Sequence, residues 1–114
     1  MDKENNTALE PIYSELLNSE NAALHQLVPK FIRCIPDYIA KIDSGMKTNN
    51  LSALKDVFHA MKGVAGNYGF PQLYEECVNA ENLCVTMSDE LENMVSKIKI
   101  TTTRIVLSGN EDIS

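Results

Sequence analysis

Apolar residues recur in this chain at steps of three and four almost from end to end. Between residues 24 and 46, Leu24, Val28, Phe31, Ile35, Tyr38, Ile42 and Met46 follow one another at four, three, four, three, four and four residues. That period winds one buried stripe around a helix, and it is incompatible with the strict alternation of a half-buried strand. The same spacing gives Leu54, Phe58, Met61 and Ala65, then Leu73, Cys77, Ala80, Cys84 and Met87, then Leu91, Met94, Val95, Ile98 and Ile105. Strand-favouring residues gather chiefly in 98–107, where Thr101, Thr102 and Thr103 weaken an otherwise helical pattern.

Local signals divide the stripes into elements. A short first helix is expected over 11–17, with Pro11 in its first turn. A second, over about 21–47, is expected as one bent helix, because Pro29 and Pro36 each remove an intrahelical hydrogen bond. Asn49, Asn50 and Ser52 offer capping groups ahead of a third helix over about 52–68. Gly69 can end that helix in the left-handed conformation, and Pro71 suits the first turn of a fourth. Ser88 is expected to cap the last helix, whose first turn carries Asp89, Glu90 and Glu92, where the helix dipole favours them. Short loops between four amphipathic helices imply an all-α fold, an antiparallel up-and-down four-helix bundle with an extra short N-terminal helix. Residues 9–107 form this bundle, and the polar stretches 1–8 and 108–114 are expected to fray.

Size and charge remove whole classes of function. With 114 residues there is room for one domain. A net charge of −6 argues against nucleic acid or an anionic membrane as the main partner, since both select clustered Lys and Arg. No stretch approaches the roughly 20 apolar residues of a membrane span, and the start of the chain is polar and acidic, so a cytoplasmic protein is expected. The three cysteines, Cys34, Cys77 and Cys84, contain no CxxC pair and read as small core residues. Met46, Met61, Met87 and Met94 lie on the apolar stripes and read as core filler.

Only two histidines are present, and their surroundings differ. His25 has neither Lys nor Gly support and reads as structural. On the third helix, successive residues 100° apart place Leu54, Phe58, Met61 and Ala65 within an arc of about 60°, with His59 about 120° from its centre. His59 therefore points to solvent. Lys62 at i+3 and Lys55 at i−4 can bring two ammonium groups to the imidazole. The nearest carboxylate by helical position is Asp56 at i−3, which lies partly to one side. Residues 71–92 hold six acids and no Lys or Arg, so the third helix is a mildly basic strip in an acidic protein.

Gly63 and Gly66 share the outward side of His59. Each costs about 1 kcal/mol relative to Ala inside a helix, against a net stability on the order of 5–15 kcal/mol for a domain. Bare backbone one turn from the ring leaves clearance for a phosphoryl group and for the protein that delivers it. Imidazole titrates just below neutrality, so a nitrogen lone pair is on offer at pH 7. The lysines would offset the charge of a transferred phosphoryl group. Nothing in the sequence amounts to a complete hydrolytic site.

The run His59-x-x-Lys62-Gly63, followed by Gly69 and embedded among amphipathic helices over about 10–107, resembles the signature of histidine-containing phosphotransfer (HPt) domains. The resemblance implies that His59 is phosphorylated, that Lys62 supports the phosphate, that Gly63 gives clearance and that Gly69 makes the turn. It implies response-regulator receiver domains as partners, either free-standing or part of a hybrid sensor kinase, with Mg²⁺ supplied by the receiver. No intrinsic cofactor or metal, no autokinase activity and a monomeric carrier are expected. Some family members place Gln or Arg on the next helix near the phosphoryl group; here that helix carries Gln72, then Glu75, Glu76 and Glu81, and the role is not carried over. The rival reading is a helical protein-binding module with an incidental surface His. A metal or haem bundle through His59 and His25 lacks the Glu-x-x-His pairs such sites use.

Overall fold

The computed structural model describes residues 9–111. They form a 3-10 turn at Glu15–Asn18 and five α-helices: α1 (Ala22–His25), α2 (Leu27–Lys47), α3 (Leu51–Asn67), α4 (Pro71–Thr86) and α5 (Leu91–Glu111). The four long helices pack in sequence around one core, and α2 closes the bundle against α5. Leu54, Phe58, Met61 and Ala65 of α3 are buried with Leu73, Cys77, Ala80 and Cys84 of α4, as the spacing predicts. Burying a side chain the size of Leu, Phe or Met contributes about 1.5–3 kcal/mol, and this shared stripe is what holds α3 and α4 in register.

The expected single helix over 21–47 is two. Asn21 caps α1 by accepting a hydrogen bond from the Ala23 amide, and the helical hydrogen-bond pattern breaks at Gln26, whose backbone stays right-handed but whose amide turns to the Leu24 carbonyl before α2 begins. In one continuous helix the Pro29 ring would meet the carbonyl four residues back, at His25. A restart at Leu27 puts Pro29 in a first turn, where its missing N–H has no partner to lose. Pro36 stays inside α2 and does not end it. His25 takes part in this local arrangement, with Nε2 donating to the Ser19 carbonyl at 2.7 Å.

The expected first helix over 11–17 is replaced by a strap that ends in the 3-10 turn. Its backbone is bound to other elements: Ile12 N–H donates to the Arg104 carbonyl and Glu15 N–H to the Gly69 carbonyl. Arg104 Nε in turn donates to the Glu10 carbonyl at 2.8 Å. So short a helix is marginal on its own, and the tertiary partners win. Ser14 Oγ accepts from the Leu16 amide and donates to the Tyr68 carbonyl. The strap therefore lies directly on the α3–α4 turn. Gly69 there has φ +84°, and an added Cβ would come within 2.5 Å of Ser14 Oγ and 2.9 Å of the Glu15 nitrogen.

Two further expectations fail at helix ends. Met87 is not core filler: it ends α4 in the left-handed region at φ 55° and is 71% exposed. Leaving helical geometry there turns its side chain off the stripe. At the other end of the chain, α5 continues to Glu111 where fraying was expected from Ser108, and Ser108 is buried with its hydroxyl donating to the Ile105 carbonyl. Residues 1–8 and 112–114 lie outside the described residues. The threonines that weakened the helical pattern are held inside α5. Thr101 donates to Glu76 and Thr102 to the Lys99 carbonyl, so their buried hydroxyls are satisfied.

Candidate functional site

Asn50 starts α3 by accepting from the Ala53 amide at 3.0 Å, and the helix then carries His59 outward at its middle, its side chain 68% exposed. The apolar stripe on the opposite side is fully buried, so the rotation of α3, and with it the direction of His59, is fixed by packing. At the far end the Phe70 amide reaches back to the Ala65 carbonyl across Gly69, and α4 starts at Pro71. This tight reversal makes α3 and α4 an antiparallel hairpin about Phe70.

Hairpin register brings a residue of α4 to the imidazole. Glu81 stands eleven residues beyond Phe70, as His59 stands eleven before it. Its Oε2 lies 3.1 Å from His59 Nδ1 and its Oε1 lies 3.0 Å from Lys62 Nζ. The Lys62 hydrogen bond holds the Glu81 carboxyl below its ordinary range; burial opposes it next in size, and the His59 hydrogen bond adds to the lowering. Glu81 is accordingly an ionised acceptor at neutral pH and offers no proton of its own. In the neutral ring Nδ1 must then carry the hydrogen, which leaves the lone pair on the outward Nε2.

Glu81 is the residue that sequence reasoning missed. Asp56, the carboxylate considered there, makes no hydrogen bond to the ring and lines a groove toward α2 with Tyr38, Lys41 and Ala60. A usable signal was present. Eleven residues are about three helical turns, so positions eleven to either side of a tight turn return to facing sides.

The other expected residues divide. Lys62 is beside His59 but engaged by Glu81, so its ammonium must leave or share that carboxylate to reach a phosphoryl group. Lys55 is exposed and has no ion-pair partner among the described residues. Its charge reaches the Cys84 thiol, where it partly opposes the upward push of burial and of Glu81. Gly63 is open: a Cβ there would meet nothing within 4 Å. Gly66 lies against α4, where a Cβ would stand 3.3 Å from Tyr74 Cδ1. It makes room for a neighbour in the same chain. Gly69 lies between α3 and α4 with φ +84°.

Of the three cysteines read as core residues, Cys77 and Cys84 are buried but Cys34 is exposed. Cys77 is pushed up to about 12 by burial and then by Glu76 and Glu81, so it stays a thiol. Tyr68 and Phe70 pack against Phe31, with ring centroids 5.5 and 5.4 Å apart. Among the described residues no group of three or more His, Cys, Asp or Glu side chains could hold a metal ion, and no helix is long and apolar enough to cross a membrane.

An outward histidine on one long helix of a four-helix bundle, with Lys62 and Gly63 in its next turn, is the arrangement that the sequence motif implies. The comparison with known families agrees: the Hpt domain family matches residues 26–103, and the chain belongs to it. The match begins at Gln26, the residue before α2, and leaves out the N-terminal strap. No curated protein and no solved structure matches the chain at a significant level.

Proposed function

We propose that the protein is a phosphoryl carrier of a two-component phosphorelay, with His59 Nε2 as the atom that is phosphorylated. Hpt domains act in histidine phosphotransfer generally; the residue roles and the partners are the reading offered here. The donor is the aspartyl phosphate of a receiver domain. The Nε2 lone pair attacks phosphorus, a P–N bond forms, the acyl P–O bond breaks and the receiver's carboxylate leaves with the electron pair. A second receiver reverses the step with its own carboxylate as nucleophile. The Nδ1 hydrogen stays on the ring throughout, against Glu81.

The observation that carries the reading is the one-sided hydrogen bonding of His59. Nδ1 is occupied by Glu81, while Nε2 makes no hydrogen bond among the described residues and Gly63, one turn on, leaves the surface clear. Lys62 is positioned to balance charge after transfer, and Lys55 to attract the acidic pocket of a receiver. Mg²⁺ is assigned to the receiver, which also supplies most of the catalytic groups. The carrier is read as monomeric and cytoplasmic, serving receivers of response regulators or of a hybrid sensor kinase.

The test is transfer of labelled phosphate. A ³²P-labelled receiver mixed with the protein should give acid-labile, alkali-stable label that is lost in His59→Gln. Label that persists in His59→Gln removes the site assignment. No label from any receiver of the source organism removes the relay reading and favours a protein-binding module with an incidental His.

A further inference from the structure

The α4 flank of His59 carries more than Glu81. Tyr74, Val78, Glu81 and Val85 recur at steps of four, three and four, so they share one outward side of α4, roughly 100° from the buried stripe. Tyr74 is 39% exposed and Val85 62%. Val78 is half-buried between them. The hairpin lays this row beside the outward residues of α3. Tyr74 borders Gly66, Glu81 borders His59, and Val85 follows Cys84, whose thiol feels Lys55. Single exposed apolar residues are ordinary on a protein surface. Here every position along one side of α4 is either the carboxylate that engages His59 or an apolar side chain.

We propose that Tyr74, Val78 and Val85 of α4, together with Lys55 of α3, form the ledge on which a receiver domain docks. The receiver lays an apolar surface along α4 and sets its acidic phosphate pocket over His59, toward Lys55. The inference rests on the relay reading and adds to it which flank of His59 the partner grips.

Charge decides between the two flanks. On the projection of α3, Lys55 and Lys62 lie about 40° and 60° from His59 on the side facing α4. Asp56 and Ala60 lie on the other side, about 60° and 100° away. There the groove toward α2, about 400 Å³, is lined by Asp56 and Lys41, one charge of each sign, and presents no net positive charge. Over that side an acidic pocket would meet the Asp56 carboxylate, and like charges at an interface suppress docking. On the α4 side the Glu81 carboxylate is already engaged by Lys62 and His59, and Lys55, unpaired among the described residues, leaves one positive charge in excess. The apolar row supplies contact that survives salt, and Lys55 supplies steering that does not.

The Val78→Gln/Val85→Gln double variant removes apolar surface without changing charge and keeps good helix formers in place. Receiver domains of the source organism, held in their phosphorylated form with beryllofluoride and Mg²⁺, are titrated onto the ¹⁵N-labelled protein. The receiver that phosphorylates His59 is expected to bind the double variant about tenfold more weakly. Lys55→Gln should weaken binding more at low salt than at high salt, and Lys41→Gln/Ala60→Gln on the α2 side should stay within about twofold. Equal binding of wild type and the Val78/Val85 variant, or a loss confined to Lys41→Gln/Ala60→Gln, overturns the ledge while leaving the relay intact. If the substitutions instead change the sedimentation of the free protein from dimer to monomer, the row is a self-contact and the proposal is wrong. Absence of transfer to wild-type His59 from every receiver brings down both readings.

Discussion

One carboxylate joins two functional side chains: Glu81 Oε2 lies 3.1 Å from Nδ1 of His59 while Glu81 Oε1 lies 3.0 Å from Nζ of Lys62. The pair of contacts orients the ring and parks the lysine at the same time. An ionised Glu81 fixes which nitrogen is protonated, and that assignment can be measured. Long-range ¹H–¹⁵N spectra of the neutral protein are expected to show His59 as the Nδ1–H form. In Glu81→Ala the ring should shift toward the Nε2–H form that free imidazole side chains prefer in water, and phosphorylation of His59 should slow by about tenfold, the low end for losing a group that orients a ring. A ring already in the Nε2–H form in the wild type would refute the positioning role.

The same carboxylate makes stability depend on acid. Its folded-state value is lowered from the ordinary 4.5, chiefly by the Lys62 hydrogen bond. A group shifted in that direction stabilises the fold above its ordinary value, and the contribution is lost as pH falls through the lowered one. Glu81→Gln cannot titrate. The gap in Tm between wild type and Glu81→Gln is therefore expected to be constant near neutrality and to shrink as pH drops below 4.5. A gap that widens in acid would mean that the carboxyl is raised by burial, contrary to the hydrogen bonding.

The residues that were legible in the sequence are those whose position is set within one helix. Phe58 and Met61 fix the rotation of α3, so the outward direction of His59 and the openness of Gly63 follow from spacing alone. Glu81 was out of reach by that route, because its place depends on how α4 returns beside α3. The neighbour of Gly66 was out of reach for the same reason: Tyr74 belongs to the other arm of the hairpin. At the chain's start, residues 11–14 look like a helix N-terminus until the partners of their backbone, the Arg104 and Gly69 carbonyls, are known. Local periodicity records which face a helix buries; it carries no record of which neighbour supplies the missing polar partner.

Gly69 joins the strap to the hairpin and should be intolerant of any side chain. Its φ of +84° costs an L-residue energy on its own, and the added Cβ would press on backbone nitrogen at Glu15 and Leu16, which cannot swing aside. Gly69→Ala is expected to lose about 1–3 kcal/mol from backbone strain alone. Ser14→Ala, which removes one buried hydroxyl and its bond to the Tyr68 carbonyl, should lose about 1 kcal/mol. In both variants the amides of Ile12 and Glu15 should exchange with solvent faster, because they hold the same strap, Glu15 to the Gly69 carbonyl and Ile12 to the Arg104 carbonyl of α5. Thermal melts and amide exchange measure the two effects separately. A Gly69→Ala protein as stable as wild type would show that the strap does not sit where it is placed.

Gly63 separates stability from function more cleanly than any other position. A Cβ there meets no atom within 4 Å, and the backbone is ordinary helix. Gly63→Ala should therefore stabilise the protein by about 1 kcal/mol, partly by restricting the unfolded chain, and raise Tm by roughly 4–8 °C. The gain implies that nothing in the fold requires glycine at this position. What the glycine preserves is space one turn from the imidazole, and that space matters only when a second protein approaches. Gly63→Leu should fold, keep the His59 tautomer and yet slow transfer from a phosphorylated receiver, with the Ala variant between the two. The comparison needs only melting curves and single-turnover transfer rates on the same preparations. Transfer by Gly63→Leu at the wild-type rate would show that the clearance has no function and that the partner reaches His59 from another side.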